Sequence, residues 1–340
     1  MKSAVYSFAL VVIIGCSQTP RAPSTKSGVI NIDSIPAIEP SINREIGDDT
    51  LTITDLDSAL LLSDRIYHLI ITPKWNPSTE TSKYYNLKHL PSEISTLRNL
   101  TILEIHCLEN LIDLPPEIGS LRYLEKLIVD NSNSCTMNIF LPSSIGKLKN
   151  LTMLVLFGGL DTRGKSDTTL AKQLPSEITN LLNLEYLDLG RNALTEIQKE
   201  IFSLTSLKKL KLSYNRINEI PPYISNLSKL EELELNTNNL HSLPDEISAL
   251  ENLKILNLEV NYIKDIPESF SKLRNLQELN LTANVGIRLP DSLDSIRNLK
   301  IIMGNNKLKL TEQKELIVRF KNVKFIFDDE YPDSNTENEH

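Results

Sequence analysis

Leu184, Leu207, Leu230, Leu253, Leu276 and Leu299 follow one another at a constant interval of 23 residues. A fixed period of this kind means that no single unit can bury its own apolar face, so each must stack on the next and share one continuous core. This predicts a solenoid, with contacts only between neighbouring units. At 340 residues, with 40% hydrophobic and 24% charged side chains and only 11 glycines, the chain has the material for one large folded domain.

Each unit reads L-x-x-L-x-L-x-x-N-x-L-x-x-L-P, as in Leu230, Leu233, Leu235, Asn238, Leu240, Leu243 and Pro244, followed by Ile247 and Leu250. The Leu-x-Leu alternation suits a short strand with one buried face, and the spacing of three from Ile247 through Leu250 to Leu253 suits a tight helical turn behind it. Asn192, Asn215, Asn238, Asn261 and Asn284 stand where the chain leaves each strand. An amide there can serve both a backbone donor and an acceptor that the turn buries, so these asparagines read as structural. Pro221, Pro244, Pro267 and Pro290 suit the first position of the helical turn, where a missing N–H costs nothing.

At these residues the chain resembles the leucine-rich repeat superfamily, in the 23-residue class with the L-P-x-E-I step found at Leu90 to Ile94, Leu174 to Ile178 and Leu243 to Ile247. The resemblance implies an α/β solenoid: curved, with parallel strands lining a concave face used for protein recognition and short helices on the convex side. It implies no chemistry.

The two ends read differently from the repeats. Residues 1–15 form a leader in which Lys2 precedes an apolar run, Ala4 to Gly15, of signal-peptide length and too short for a stable membrane span. Its close, Ile13-Ile14-Gly15-Cys16, resembles a bacterial lipobox, which implies a diacylglycerol on Cys16 and an envelope location, with Ser17 favouring the outer membrane. Residues 16–49, with Pro20, Pro23, Pro36 and Pro40, read as a flexible tether. Residues 50–327 are the repeat domain with its caps, and 328–340 an acidic tail. Leu56, Ala59, Leu60 and Leu62 suggest a capping helix at the front. Thr311 offers an N-cap for a closing helix with Leu316, Ile317 and Phe320, before a strand at Val323, Phe325 and Phe327.

Several motifs invite chemistry and are weighed against plainer readings. The formal charge of −8 argues against nucleic acid, whose binding needs clustered Lys and Arg. Gly159-Leu160-Asp161-Thr162-Arg163-Gly164-Lys165-Ser166 fits a phosphate-binding loop, but only Asp167 to Gln173 remain before Leu174-Pro175 reopens the repeat, too little for the helix that motif requires. A polar loop on the binding rim is the preferred reading, with nucleotide hydrolysis the remote alternative. His68, His106 and Glu104 could be imagined around zinc, yet no H-x-x-x-H or C-x-x-C spacing supports it, and two surface histidines are expected. Cys107 and Cys135 leave a disulfide open. No catalytic residue, metal or cofactor is assigned and no small-molecule substrate is expected, since no G-x-S-x-G elbow places a nucleophile.

The repeats opening at Leu100, Leu124 and Leu151 run 24, 27 and 33 residues to the next, and Pro73 to Asn86 is a further insertion. Function is expected in this irregular half. At offsets two, four and six from the opening leucine, where strand side chains point away from the core, it carries Ile70, Ile102, Ile128, Met153, Val155 and Phe157, bordered by Tyr186. The late half carries Lys209, Lys211, Glu232, Glu234 and Asn257 there, with a lone Ile255. A contiguous apolar patch with a polar border marks a recognition surface, unless the segments Pro73 to Asn86 or Gly158 to Lys172 cover it. The expectation is a membrane-anchored module that binds a protein partner through this face. An envelope spacer without a specific ligand is the alternative.

Overall fold

The computed structural model describes residues 51–327 apart from 55, 73, 77–80, 84–86, 109, 131–138 and 159–173, and describes 51–53, 64, 74–76 and 81–83 by backbone alone. The expected leader, tether and acidic tail lie outside the described residues. Strand β1 (Leu51–Ile53) and helix α1 (Leu56–Leu61) lead into β2 (Ile66–Ile71), with Leu56 and Ala59 buried against the first repeat. The insertion that follows carries β3 (Lys74–Asn76) and β4 (Thr81–Lys83), paired antiparallel in a two-stranded sheet of their own. Then come β5 (Ile102–His106), β6 (Lys126–Asp130), β7 (Met153–Phe157), β8 (Tyr186–Asp188) and β9 (Lys209–Lys211). The series continues with β10 (Glu232–Glu234), β11 (Ile255–Asn257), β12 (Glu278–Asn280), β13 (Leu299–Ile302), α2 (Leu310–Arg319) and β14 (Val323–Ile326). Leaving out the hairpin, these strands form one twelve-stranded sheet in chain order.

Every neighbouring pair in that sheet is parallel, because each strand is reached from the last by a return along the back of the same unit. The register stacks Leu187, Leu210, Leu233, Leu256 and Leu279 into a row with no exposed surface. The return path contains a five-residue 3-10 helical turn, for example Asp245–Ala249. Its bonds run from the N–H of Ile247 to Pro244 O, of Leu250 to Ile247 O and of Leu253 to Leu250 O. Three residues per turn place Ile247, Leu250 and Leu253 on one side, and all are fully buried, each stabilising the stack by about 1.5–3 kcal/mol.

Two local expectations need correction. Pro221, Pro244, Pro267 and Pro290 stand one residue before the turn, with extended backbone (Pro244 φ −73°, ψ 149°), so that the proline carbonyl opens the 3-10 turn. Proline's ring favours that φ, and its carbonyl is the group the turn uses. Helix α2 starts at Leu310, not after Thr311: Lys309 is its cap residue, and the Lys309 N–H donates to the Glu312 carboxylate at 2.7 Å. A carboxylate three residues into the helix captures that N–H, which leaves Thr311 inside the first turn.

The asparagines form a buried ladder. Asn238 donates from Nδ2 to Leu212 O and Leu235 O, both at 2.9 Å, and its Oδ1 accepts the N–H of Ile217 at 3.0 Å, tying three consecutive stretches of backbone. Asn215, Asn261 and Asn284 repeat the pattern, and Asn192 opens it by donating to Leu156 O. The last rung is Asn306, whose Oδ1 accepts the N–H of Asn284 at 2.7 Å. Strand β13 pairs Leu279 with Ile301, and Leu299 stands two residues before Ile301, where Leu276 stands three before Leu279. One residue is missing from this last unit, and Asn306 therefore falls out of a count by 23 while keeping its place five residues after the central apolar residue of the strand.

Candidate protein-binding face

Strand register turns the sequence offsets into positions on the open face of the sheet. Neighbouring strands lie about 4.8 Å apart, so side chains paired across the sheet touch. One row runs Lys126, Met153, Tyr186; the next runs Ile128, Val155, Asp188; the third pairs Asp130 with Phe157. Ile128, Met153, Val155, Phe157 and Tyr186 are thereby brought into one apolar block across β6, β7 and β8, each half-buried on the face opposite the leucine core.

Ile70 and Ile102 do not join it. Ile70 pairs with Glu104, which pairs with Ile128, and Ile102 sits between His68 and Lys126. The expected patch over seven residues is thus a block of five with two apolar residues beyond a polar divide. The anticipated cover from 73–86 or 158–172 falls mostly outside the described residues, as do Cys16 and the phosphate-loop-like stretch 159–166.

The block is shaped from below by Gly190, which follows β8. Its N–H donates to Asp188 Oδ1 at 2.8 Å, its carbonyl accepts the N–H of Gly158 at 2.8 Å, and the Phe157 ring occupies the space a side chain would fill. Burial pushes the Asp188 carboxyl up, against the opposing effect of the Gly190 N–H. Burial likewise pushes the Tyr186 hydroxyl up to about 12, helped by Asp188, so it stays a neutral hydrogen-bonding group at the border of the block.

On its early side the block meets a cluster of histidines and carboxylates. His68 Nε2 lies 2.8 Å from Glu104 Oε1, His106 Nε2 lies 3.0 Å from Glu104 Oε2, and His106 Nδ1 lies 3.8 Å from Asp130 Oδ2. Hydrogen bonds from His106 and then His68 hold the Glu104 carboxyl down to about 2. His68 and His106 are consequently not isolated surface histidines as the sequence suggested; both are part-buried and committed to a carboxylate. The signal was present, since His68, Glu104 and His106 occupy outward offsets of adjacent strands, but it becomes legible only once the register is known. No group of three or more His, Cys, Asp or Glu that could hold a metal ion occurs among the described residues. Cys107 is a free, half-exposed thiol with φ of 50°, and Cys135 lies outside the described residues.

The late half of the same face is polar and satisfies itself. Lys209 pairs with Glu232 at 2.6 Å and Lys211 with Glu234 at 2.8 Å, each across one repeat. Ser213 donates to Asn236 in the next repeat, and Asn280 to Glu259 in the preceding one. Groups that already have partners gain little from a new one.

The comparisons agree with this architecture. The family model described as leucine rich repeat matches residues 182–240 and 228–285. Among solved structures, a leucine-rich-repeat protein of Leptospira interrogans is 26% identical, with 81% of each chain covered and a TM-score of 0.52. The leucine-rich-repeat ectodomain of the Arabidopsis thaliana membrane receptor kinase GASSHO1/SCHENGEN3, solved in complex with Casparian strip integrity factor 2, is 23% identical with a TM-score of 0.50; the match covers 70% of this chain and 30% of that one. No curated protein matches the chain. Parallel register, 3-10 returns and asparagine ladder together show the leucine-rich repeat fold, and residues 182–285 carry the match to the leucine rich repeat family model.

Proposed function

We propose that this chain is a non-catalytic binding module that captures a protein partner on the open face of its sheet, at the block of Ile128, Met153, Val155, Phe157 and Tyr186. The observation that carries the reading is the contrast along one face. The late half pairs its charges internally, whereas β6 to β8 present contiguous, half-buried apolar side chains that a partner surface would bury further. We extend the reading to a lipid anchor at Cys16 in a bacterial envelope, in the outer membrane, on the strength of Lys2, the apolar run to Gly15 and the Ile13-Ile14-Gly15-Cys16 junction. No helix among the described residues is long and apolar enough to cross a membrane.

A photo-crosslinking residue placed at Val155 and, separately, at Asn280, tests the face on intact cells. The reading expects a discrete adduct from Val155 and none from Asn280. Equal adducts, or none from either, favour an envelope spacer without a specific ligand. For the anchor, Cys16→Ala should abolish palmitate labelling and detergent-phase partitioning, and persistence of both would refute it.

A further inference from the structure

Asp188 stands in the row Ile128, Val155, Asp188, Lys211, at the late border of the apolar block. Its Oδ1 accepts the N–H of Gly190, two residues on, at 2.8 Å. Further along the same row Asn257 accepts the N–H of Glu259 at 3.1 Å and Asn280 that of Thr282 at 3.0 Å, so a neutral amide serves this turn equally well. The fold therefore needs the oxygen of Asp188 and not its charge. The neighbouring Lys211 directs its ammonium to Glu234 at 2.8 Å and Glu232 at 3.6 Å, and Asp188 forms no ion pair among the described residues. Burial raises the Asp188 pKa against the pull of the Gly190 N–H and of Lys211, the mark of a carboxylate that has lost water without gaining a full partner.

We propose that Asp188 is the anchor for an arginine of the partner, so that the segment captured on the block carries a guanidinium flanked by apolar residues. The proposal rests on the reading of the block as a docking face and adds the partner's chemistry to it. Charge complementarity selects a cation. A partner lying over Val155 and Tyr186 takes the remaining water from Asp188, and a desolvated carboxylate is costly unless a cation arrives with the partner. The surroundings select arginine over lysine. Asp188 Oδ1 and the Phe157 ring meet over Gly190, at 3.1 and 2.8 Å from the position a Cβ would take there, so a side chain reaching the carboxylate also meets the ring. A planar guanidinium can hydrogen-bond a carboxylate while lying against an aromatic ring, and it gives up water more readily than an ammonium.

A display library of random short peptides, selected on the full chain and on two variants, supplies the probe. Peptides retained by the wild-type protein should share an arginine among apolar residues. Asp188→Asn should retain apolar peptides without the arginine preference, and its circular dichroism should match wild type, because the amide keeps the bond to Gly190 as Asn257 and Asn280 keep theirs. Met153→Gln combined with Val155→Asn removes apolar surface without adding charge and should retain nothing above background. For one selected peptide, replacing arginine by citrulline, nearly the same shape without the charge, should weaken binding to wild type roughly ten-fold or more and leave binding to Asp188→Asn nearly unchanged. If no peptide is enriched, or the double variant retains the same ones, the block is not the docking face and both readings fall. If apolar peptides are enriched without arginine and the double variant loses them, the docking face stands and only the anchor falls. A citrulline peptide that binds wild type as tightly as its arginine parent would also overturn the anchor, whatever the stability of Asp188→Asn.

Discussion

Gly190 lies beneath the ring of Phe157 so closely that a Cβ on the glycine would stand 2.8 Å from two of the ring carbons. The equivalent positions in the later repeats carry Ser213, Asn236, Glu259 and Thr282, so the backbone there tolerates a side chain and the restriction comes first from the phenylalanine, with Asp188 Oδ1 next at 3.1 Å. Gly190→Ala should therefore force Phe157 out of place, lowering stability by about 1–3 kcal/mol. Combining it with Phe157→Leu should recover part of that loss. A double-mutant cycle in urea decides the matter, and strictly additive effects would show that the two residues do not share space.

The ladder predicts a graded series. Asn238 makes three hydrogen bonds to buried backbone, and Asn238→Ala should cost about 1–3 kcal/mol. Asn306 accepts one bond, and its Nδ2 has no partner among the described residues, so Asn306→Ala should cost less. Leu233→Ala, in the fully buried leucine row, should cost about 2–5 kcal/mol through the cavity it leaves. The order of urea midpoints tests the series, and Asn306→Ala proving the worst would contradict it.

Stability should pass through a maximum in mildly acid solution. The Glu104 pKa is depressed to about 2 in the folded protein, so its contribution is present above the ordinary value of 4.5 and is lost as pH falls toward 2. The His106 pKa is raised, so its contribution is complete below 6.5 and fades as pH climbs through the folded value. Both operate fully between 4.5 and 6.5, and Glu104→Gln should flatten the profile on both sides. Melting temperature against pH for the two proteins is the measurement; parallel curves would refute the cluster's role.

Much of this was legible before any coordinates. The spacing of Leu184 to Leu276 dictates stacking, the Leu-x-Leu alternation dictates which side chains face out, and Asn192 to Asn284 mark the ladder. What sequence could not deliver depends on lateral register. The 24-, 27- and 33-residue units of the irregular half do not say which of their residues lie side by side, so Glu104 could not be seen parting Ile70 from Ile128, nor His68 and His106 converging on it. Asn306 was missed because one residue is absent between Leu299 and Ile301, which a periodic count reads as decay and a hydrogen-bond ladder absorbs.

The most direct test of the central claim sets Ile128→Glu and Val155→Glu against Lys211→Glu in capture of the protein that cross-links at Val155. Ile128 and Val155 face away from the leucine core, so a charge there should leave circular dichroism and melting temperature near wild type while abolishing capture, because the carboxylate must be desolvated against the partner. Lys211 belongs to the self-paired half, and its reversal should change association rate and salt dependence more than affinity. Folded Ile128→Glu and Val155→Glu proteins that still capture the partner at wild-type affinity would contradict the account.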